Sequence, residues 1–363
     1  MEVQTIYDLI VYVLNLIGIH EVDFLLNLVI YGVMGLAVFG IVGAVLAVHS
    51  YAERKIMGDF QVRLGPMVAG PRGIFQPIAD GIKLVTKEDI IPRGVDKWLF
   101  IAAPIVVMVS TLLILVPIPF GKINIDGNEI FLVFADLKIG ILFILAVSAI
   151  SPLGIIMAGW ASNNKYALLS GLRAAAQMMS YEIPIVLAII GVILVSGTMN
   201  LIEIVNAQQE LIFGIIPKWN IFLMPIAFIV FFICAVAEIG RVPFDTIEAE
   251  GELVAGYNIE YSGMRFAFFF IAEYAHPFII GALATLLFLG GWHGPTFGIA
   301  ALGIVWFLIK TAVFVYIMIW FRGTLPRIRI DQMLTLGWKY MIPLALLNIA
   351  IVGALKFIAP GVF

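Results

Sequence analysis

Apolar residues occur in long stretches along this chain, at roughly 24–49, 98–120, 137–160, 177–198, 219–239, 264–290, 299–321 and 340–361. Each reaches about 20 residues, the length at which an α-helix crosses the hydrocarbon core of a bilayer. Inside that core every backbone N–H and C=O must find a partner within the protein, which leaves helices and closed barrels as the spanning designs. A barrel strand reads as about ten residues of alternating polarity, and these stretches are longer and continuous. The pattern therefore predicts an all-α integral membrane protein, a bundle of eight transmembrane helices. No Ser/Gly/Pro-rich linker divides the chain, so residues 1–363 are expected to form a single membrane domain.

Two further stretches carry helical signals of another kind. An apolar segment at 5–19 is too short to span and reads either as an interfacial helix or as an extension of the first span. Between residues 74 and 87, Ile74, Phe75, Ile78, Ile82 and Val85 fall within roughly one quadrant, while Asp80, Lys83 and Lys87 cluster on the far side. That is an amphipathic surface helix. It lies in a loop whose Gly65-Pro66, Gly70-Pro71 and Gly73 are turn punctuation. No Gly-Lys-Ser/Thr follows them, so they are not a phosphate cradle.

Composition agrees with a membrane protein: 62% of the residues are apolar and only 12% charged, against about 25% charged in soluble domains. The basic residues are unevenly placed. Loops 50–97, 161–176, 240–263 and 322–339 hold 8, 2, 1 and 4 Lys/Arg, whereas the opposite side holds Lys122, Lys138, Lys218 and Lys356. Basic loops resist translocation, so these four long loops are expected in the cytoplasm, or its organellar equivalent, with both termini outside. The first basic residue is Arg54, so no basic signal start precedes the first apolar run, which is expected to stay attached. The single cysteine, Cys234, and the histidines His20, His49, His276 and His293 show no haem, iron–sulfur or zinc spacing. No metal site is expected, and the electrons of any redox reaction should be carried by other chains.

Acid is concentrated at one place. The stretch EIGRVPFDTIEAEGELVAGYNIEY, residues 238–261, sets Glu238, Asp245, Glu248, Glu250, Glu252 and Glu260 against one arginine, Arg241. Asp245-Thr-Ile-Glu248 reads as a capping box, in which both carboxylates serve amides at a helix start. On one helix, Asp245, Glu248 and Glu252 would share a face within about 60°. Like charges that close repel, so some are expected to hold protons at neutral pH. Glu182 and Glu273 lie within spans and Lys310 near the middle of the seventh. A charge at mid-bilayer costs about 2.5–3.5 kcal/mol on insertion scales, so each should face the bundle interior and a partner or water. For one acid a packed, neutral side chain suffices as explanation; acids in three successive spans or span ends point to an internal proton path. Lys165, Arg173, Arg322, Arg327 and Arg329 either follow the positive-inside bias alone, dock a partner, or counter the acidic loop.

The segments AERKIMGDFQVRLGP, GIFQPIADGIKLVTKE, KYALLSGLRAAAQMMSYE, EIGRVPFDTIEAEGELVAGYNIEYSGMRFAFFFIAEY and LPRIRIDQMLTLGWK closely resemble the H-subunit family of respiratory complex I, called subunit 1 in mitochondria. The likeness runs from about residue 50 to 345 in the family's order. It implies a non-redox membrane component of a proton-pumping oxidoreductase, beneath a hydrophilic arm whose subunits carry the iron–sulfur clusters. It also implies small membrane subunits and antiporter-like pumping subunits as partners, membrane lipid around it, and a quinone as lipid substrate in a chamber. By the same resemblance Glu53, Arg54, Arg63, Asp80, Lys83, Arg241, Phe244 and Asp245 match quinone-chamber or entrance positions. Glu182, Glu238, Glu248, Glu250, Glu252 and Glu273 match the acidic path to the pumping subunits. Departures are few: Met67 stands where Asn is frequent, and Ser170 where Gly is common. The implied place is the plasma membrane of a prokaryote, with an organellar inner or thylakoid membrane as the alternative, and nucleic acid is not an expected partner. Two other readings stay open: the homologous component of a membrane-bound hydrogenase or coenzyme F420 dehydrogenase, and a free-standing proton-coupled transporter. The last expects inverted repeats, and no convincing repeat is present.

Overall fold

The computed structural model describes residues 5–16, 24–125, 128–209, 211–212, 216–247, 250–295 and 302–358. Among them, seven helices are long and apolar enough to cross a membrane. The eight expected spans are otherwise recognisable, and the fifth departs from expectation. Apolar residues fill 219–239, but Met224 leaves helical geometry and Pro225 opens a separate helix, Pro225–Ile239, of 15 residues. At 1.5 Å per residue this covers about 22 Å, short of the roughly 30 Å core. Proline supplies no N–H to the turn before it, so a window of apolar composition counts residues that the backbone cannot join into one helix.

The first span departs in the other direction. Phe24–Phe60 is one helix of 37 residues, about 55 Å long, so its last turns continue past the hydrocarbon and carry Glu53, Arg54 and Lys55. The fourth, Lys165–Ser196, is similarly long; Asn164 starts it by accepting the Tyr166 amide, and Gly197 ends it at φ 75°. Residues 50–60 and 165–176, expected as loop, are therefore helical extensions of spans. The third span, Gly140–Ala161, breaks at Ala149–Ile150 ahead of Pro152. It crosses the fourth where a Cβ on Gly159 would lie 2.6 Å from the Ala167 carbonyl oxygen, the close backbone approach that small residues permit in membranes. The last span, Ile330–Ile358, contains a π-helical turn at Leu336–Met341.

Outside the spans, Ile6–Leu16 is a helix of 11 residues. Tyr7 donates to Asn27 Oδ1 at 2.7 Å and stacks on Tyr31, which lays this helix against the start of the first span. The expected surface helix runs Gln76–Thr86 with no buried residue. Ile78, Ile82 and Val85 are all exposed, as a face made for lipid or another chain requires.

The long loops interlock at one end of the bundle. Ser262 Oγ accepts from the Ile90 amide and donates to the Glu88 carbonyl, Arg265 pairs with Asp89 at 3.3 Å, and Asn164 donates to Glu260 at 2.8 Å. At the opposite end, Lys122–Ile125 and Asn128–Phe131 pair as an antiparallel hairpin. Lys310, within the helix Leu302–Thr324, reaches toward that end with its side chain. Its ammonium donates to the carbonyls of Leu289, Gly291 and His293 at 2.7, 3.0 and 2.7 Å and lies 4.6 Å over the Trp219 ring. Those carbonyls follow the C-terminal end of the sixth span, Gly263–Phe288, where helical acceptors lack donors, and an ammonium has three N–H groups to give.

Burial first, then the charges of Lys122 and Lys310, push the neighbouring His293 imidazole down to about 4. Below the ordinary histidine value near 6.5, an unfolded chain binds a proton there and the native one does not. Stability contributed by this residue is thus lost as pH falls from about 6.5 to 4. His293→Gln is expected to flatten that limb of the thermal midpoint against pH in the detergent-solubilised assembly; an unchanged slope would contradict the burial.

Candidate functional site

The overrun of the first span sets Glu53 among charges from three other segments. Glu53 is 4% exposed and Arg241 8%. Glu53 Oε1 accepts from Arg241 at 3.3 Å and pairs also with Arg322, at the end of the seventh helix Leu302–Thr324. Arg241 turns its other guanidinium nitrogen to Glu273 at 3.1 Å and lies 4.8 Å from the Tyr274 ring centroid. On the next residue of the first helix, Arg54 pairs with Asp80 of the surface helix at 2.6 Å. Buried charge is tolerated when it is paired, and here each buried charge has an oppositely charged partner, although Glu53 Oε2 accepts no hydrogen bond.

Arg241 is positioned by the fourth span. Gly240 ends the fifth helix at φ 74°, a left-handed turn that glycine adopts freely, and the chain then folds back as an irregular loop. Gln177 Nε2 donates to the carbonyls of Ala237 and Phe244 at 2.7 and 2.8 Å, and Thr246 Oγ1 donates to Gln177 Oε1. Ser170 Oγ, at the position where the resembled family commonly has glycine, donates to the Ile247 carbonyl at 2.7 Å. One buried glutamine and one serine thus hold both sides of the acidic loop.

Beside this network opens a cavity of about 560 Å³ lined by Glu53, Arg54, Met57, Gln61, Arg63, Pro66, Gln76, Tyr274 and Arg322. Three of the sequence-predicted chamber residues, Glu53, Arg54 and Arg63, are in its wall. Asp80 reaches it through Arg54, and Arg241 stands behind it through Glu53. Lys83 is exposed on the surface helix, away from the wall. Phe244 is buried against Tyr181, ring centroids 5.6 Å apart, and neither it nor Asp245 lines the cavity.

The acids divide into two groups. Glu238 and Glu273 share a cavity of about 90 Å³ among the spans with His276 and a largely apolar wall, and Glu182 acts electrostatically on Glu238. Since Glu273 is also bonded to Arg241, charged groups run from Glu53 through Arg241 and Glu273 toward Glu238 and Glu182. The loop acids are arranged otherwise than expected. Asp245 and Glu252 are not on a common helix, because the described helix there is only Glu250–Leu253, and the other half of the capping box, Glu248, lies outside the described residues. Glu252 pairs with Arg173 at 2.7 Å and Arg327 at 3.6 Å. The Arg173 hydrogen bond, then the Arg327 charge, hold its carboxyl below the usual carboxylate range, so the expected retained proton is corrected for this residue: guanidinium partners outweigh the repulsion of neighbouring acids. Arg173 and Arg327 counter the acidic loop, whereas Arg322 serves Glu53.

Sequence reasoning missed His49, Tyr274 and Gln177. His49 is 5% exposed, one helical turn before Glu53; an ionisable residue in a span is a functional candidate by default, and that signal was present. Gln177 and Tyr274 carried none, since their roles depend on partners 60 or more residues away.

Among the described residues no group of three His, Cys, Asp or Glu is arranged to hold a metal ion. Comparison with known proteins accords with the motifs. The family described as NADH dehydrogenase matches residues 33–353. The NADH-quinone oxidoreductase H-subunit of a Geobacillus species is 49% identical over 331 residues, covering 91% of this chain and 95% of the relative. In Geobacter sulfurreducens the NADH-quinone oxidoreductase H-subunit numbered 2 is 47% identical over 90% of this chain and 97% of its own length, and the Bacillus cereus H-subunit is 47% identical over 91% and 92%. With a family match across most of its length and near-half identity to these proteins, the chain belongs to the NADH dehydrogenase family as a multi-pass membrane protein of the H-subunit kind.

Proposed function

We propose that this chain, acting as one membrane domain in the plasma membrane of a prokaryote, forms the chamber in which a quinone headgroup is reduced and the first part of the path coupling that reduction to proton translocation. The observation that carries the reading is the cavity beside Glu53, Arg54 and Arg322, at the end of a helix that overruns the membrane, next to a surface helix with an exposed apolar face. A quinone is a lipid with a polar head. It needs an apolar approach ending in polar groups that fix the head, and Ile78, Ile82 and Val85 offer the approach while the arginines offer the end. Lys83 stands at the entrance, and Arg241, Phe244 and Asp245 form the loop behind.

Reduction draws two electrons, from iron–sulfur clusters in hydrophilic partner subunits, and two protons to the head. Charge changing in a low-dielectric site acts strongly on neighbours. The nearest are Glu53, Arg54, Arg63 and Arg322, and the disturbance passes from Glu53 to Arg241, then to Glu273, Glu238 and Glu182, toward antiporter-like membrane partners. Glu250 and Glu252 sit at the rim of the loop that transmits it, with Glu248 between the loop and that rim in sequence. Relatives named as subunits of NADH-quinone oxidoreductase favour this assembly over a free-standing transporter.

A photoreactive quinone with a short isoprenoid tail, applied to the intact complex, tests the chamber. Labelling of peptides within residues 53–76 and around Tyr274, suppressed by excess quinone, is expected. Label confined to other segments or other subunits refutes the assignment.

A further inference from the structure

A buried imidazole at the chamber network has taken no part in the mechanism so far. His49 Nδ1 lies 2.9 Å from the Tyr274 carbonyl oxygen. A carbonyl only accepts, so Nδ1 carries the hydrogen and donates, and the tautomer is fixed: Nε2 holds a bare lone pair. That lone pair faces Glu53 Oε2 at 4.0 Å. Glu53 Oε2 is itself a buried acceptor with no hydrogen bond, because both arginines engage Oε1. Two acceptors thus confront one another in the lining of a cavity of about 10 Å³ formed with Arg241, Pro277, Met318, Ile319 and Arg322.

The charge count gives this gap a meaning. The groups facing it are Glu53 on the same helix, Glu273 and Tyr274 on the sixth span, Arg241 on the acidic loop and Arg322 on the seventh span. Two guanidiniums and two carboxylates cancel at the gap, Arg54 with Asp80 cancel likewise, and Arg63 is a further cation in the wall of the larger cavity. Negative charge arriving in the 560 Å³ cavity then draws protons to nearby bases. A proton fits between His49 Nε2 and Glu53 Oε2 without breaking a hydrogen bond.

We propose that His49 is a proton-holding residue of the quinone site, acting through Glu53: the site stores one proton on Nε2 while the headgroup is reduced and returns it through Oε2. The inference rests on the chamber reading above. On loading, a hydronium ion at the cavity breaks one O–H bond to protonate Oε2, leaving water, then the Oε2–H bond breaks as an N–H bond forms at Nε2. On delivery the N–H bond breaks, Oε2 is protonated again, and the proton passes to a headgroup oxygen, completing with a second proton the two that two electrons require. His49 returns to the neutral tautomer held by Tyr274.

The test uses the assembled complex. His49→Asn keeps a side-chain N–H near the Tyr274 carbonyl and deletes the Nε2 base. Its quinone reduction kcat is expected to fall about 100-fold, at the low end of what proton-transfer groups contribute, with KM changed less than about twofold and one limb of the pH profile lost. A variant that keeps wild-type kcat and pH profile overturns the proposal, as does a change confined to KM. If His49→Asn does not assemble, an infrared difference spectrum of the native complex labelled with ring-15N histidine decides. No isotope-sensitive imidazolium band on quinone reduction overturns the assignment; a band lost in His49→Gln supports it. Glu53→Gln separates the two levels. If it keeps quinone reduction, the chamber reading itself falls; if it abolishes reduction while His49→Asn is silent, only the role of His49 falls.

Discussion

Replacing Arg241 with leucine is expected to destabilise the folded bundle by about 3–5 kcal/mol, the range for removing one partner of a buried ion pair. The leucine leaves Glu53, 4% exposed, and Glu273 without the guanidinium that joins them at 3.3 and 3.1 Å. Converted at about 1.4 kcal/mol per tenfold, the loss corresponds to at least about a 100-fold fall in the folded population, read as loss of the protein from membranes or of quinone reduction by whatever assembles. Arg241→Lys retains the charge but offers a point donor in place of a two-sided fork, so an intermediate defect is expected. The double variant Arg241→Leu, Glu273→Gln removes the uncompensated carboxylate as well, leaves Glu53 with Arg322, and should recover membrane levels without recovering activity. Recovery of this kind is the non-additivity expected of residues in one network. A single Arg241→Leu chain that accumulates normally and keeps its thermal midpoint would show that the three side chains are not joined as described.

Glu238→Gln carries the second large effect, this time on coupling. In the proposed path Glu238 is the group shared between the Glu273 cavity and Glu182, and glutamine keeps its size and hydrogen-bonding capacity while removing its titration. Each 100 mV of two-electron drop releases roughly 4.6 kcal/mol, and moving one charge against 100 mV costs roughly 2.3 kcal/mol. About two charges per 100 mV is therefore the ceiling for coupling, and a broken path lets that energy go as heat. Quinone reduction in Glu238→Gln is expected to stay within about threefold of the native rate while protons moved per electron fall by at least about half, measured in proteoliposomes with an entrapped pH dye. Glu252→Gln is the contrast: Glu252 is exposed and held by Arg173 and Arg327, so its loss should leave the proton ratio intact. Equal ratios in Glu238→Gln and the native complex would remove Glu238 from the path.

Much of this architecture is readable before any coordinates, for a physical reason. A bilayer forbids unsatisfied backbone, so long apolar windows can only be helices, and each apolar window holds a helix, although the first, fourth and last helices run about ten residues beyond their windows at one end. The amphipathic segment Gln76–Thr86 is equally local information, since its stripe repeats every 3.6 residues. Reading failed where apolar content and backbone geometry part company. Pro225 shortens the fifth span although its surroundings are as greasy as any other, and the helices of Glu53 and Arg173 run on past the apolar stretch because helix formation does not stop at the first charge. The acidic loop failed for another reason. Spacing alone put Asp245 and Glu252 on one helix face, but Gln177, Thr246 and Ser170 hold residues 244–247 irregular by side-chain hydrogen bonds, an alternative that local sequence cannot weigh.

Residue order alone was enough to establish a helical membrane protein, the helix ends that carry the basic loops, and the acids that stand close to hydrocarbon; each follows from interactions between residues a few positions apart. Which charges meet is a property of the folded chain. Arg241 and Glu53 are 188 residues apart, and Arg322 and Glu53 are 269 apart. In a low-dielectric interior the protonation and role of each are set by those distant partners rather than by neighbours along the chain.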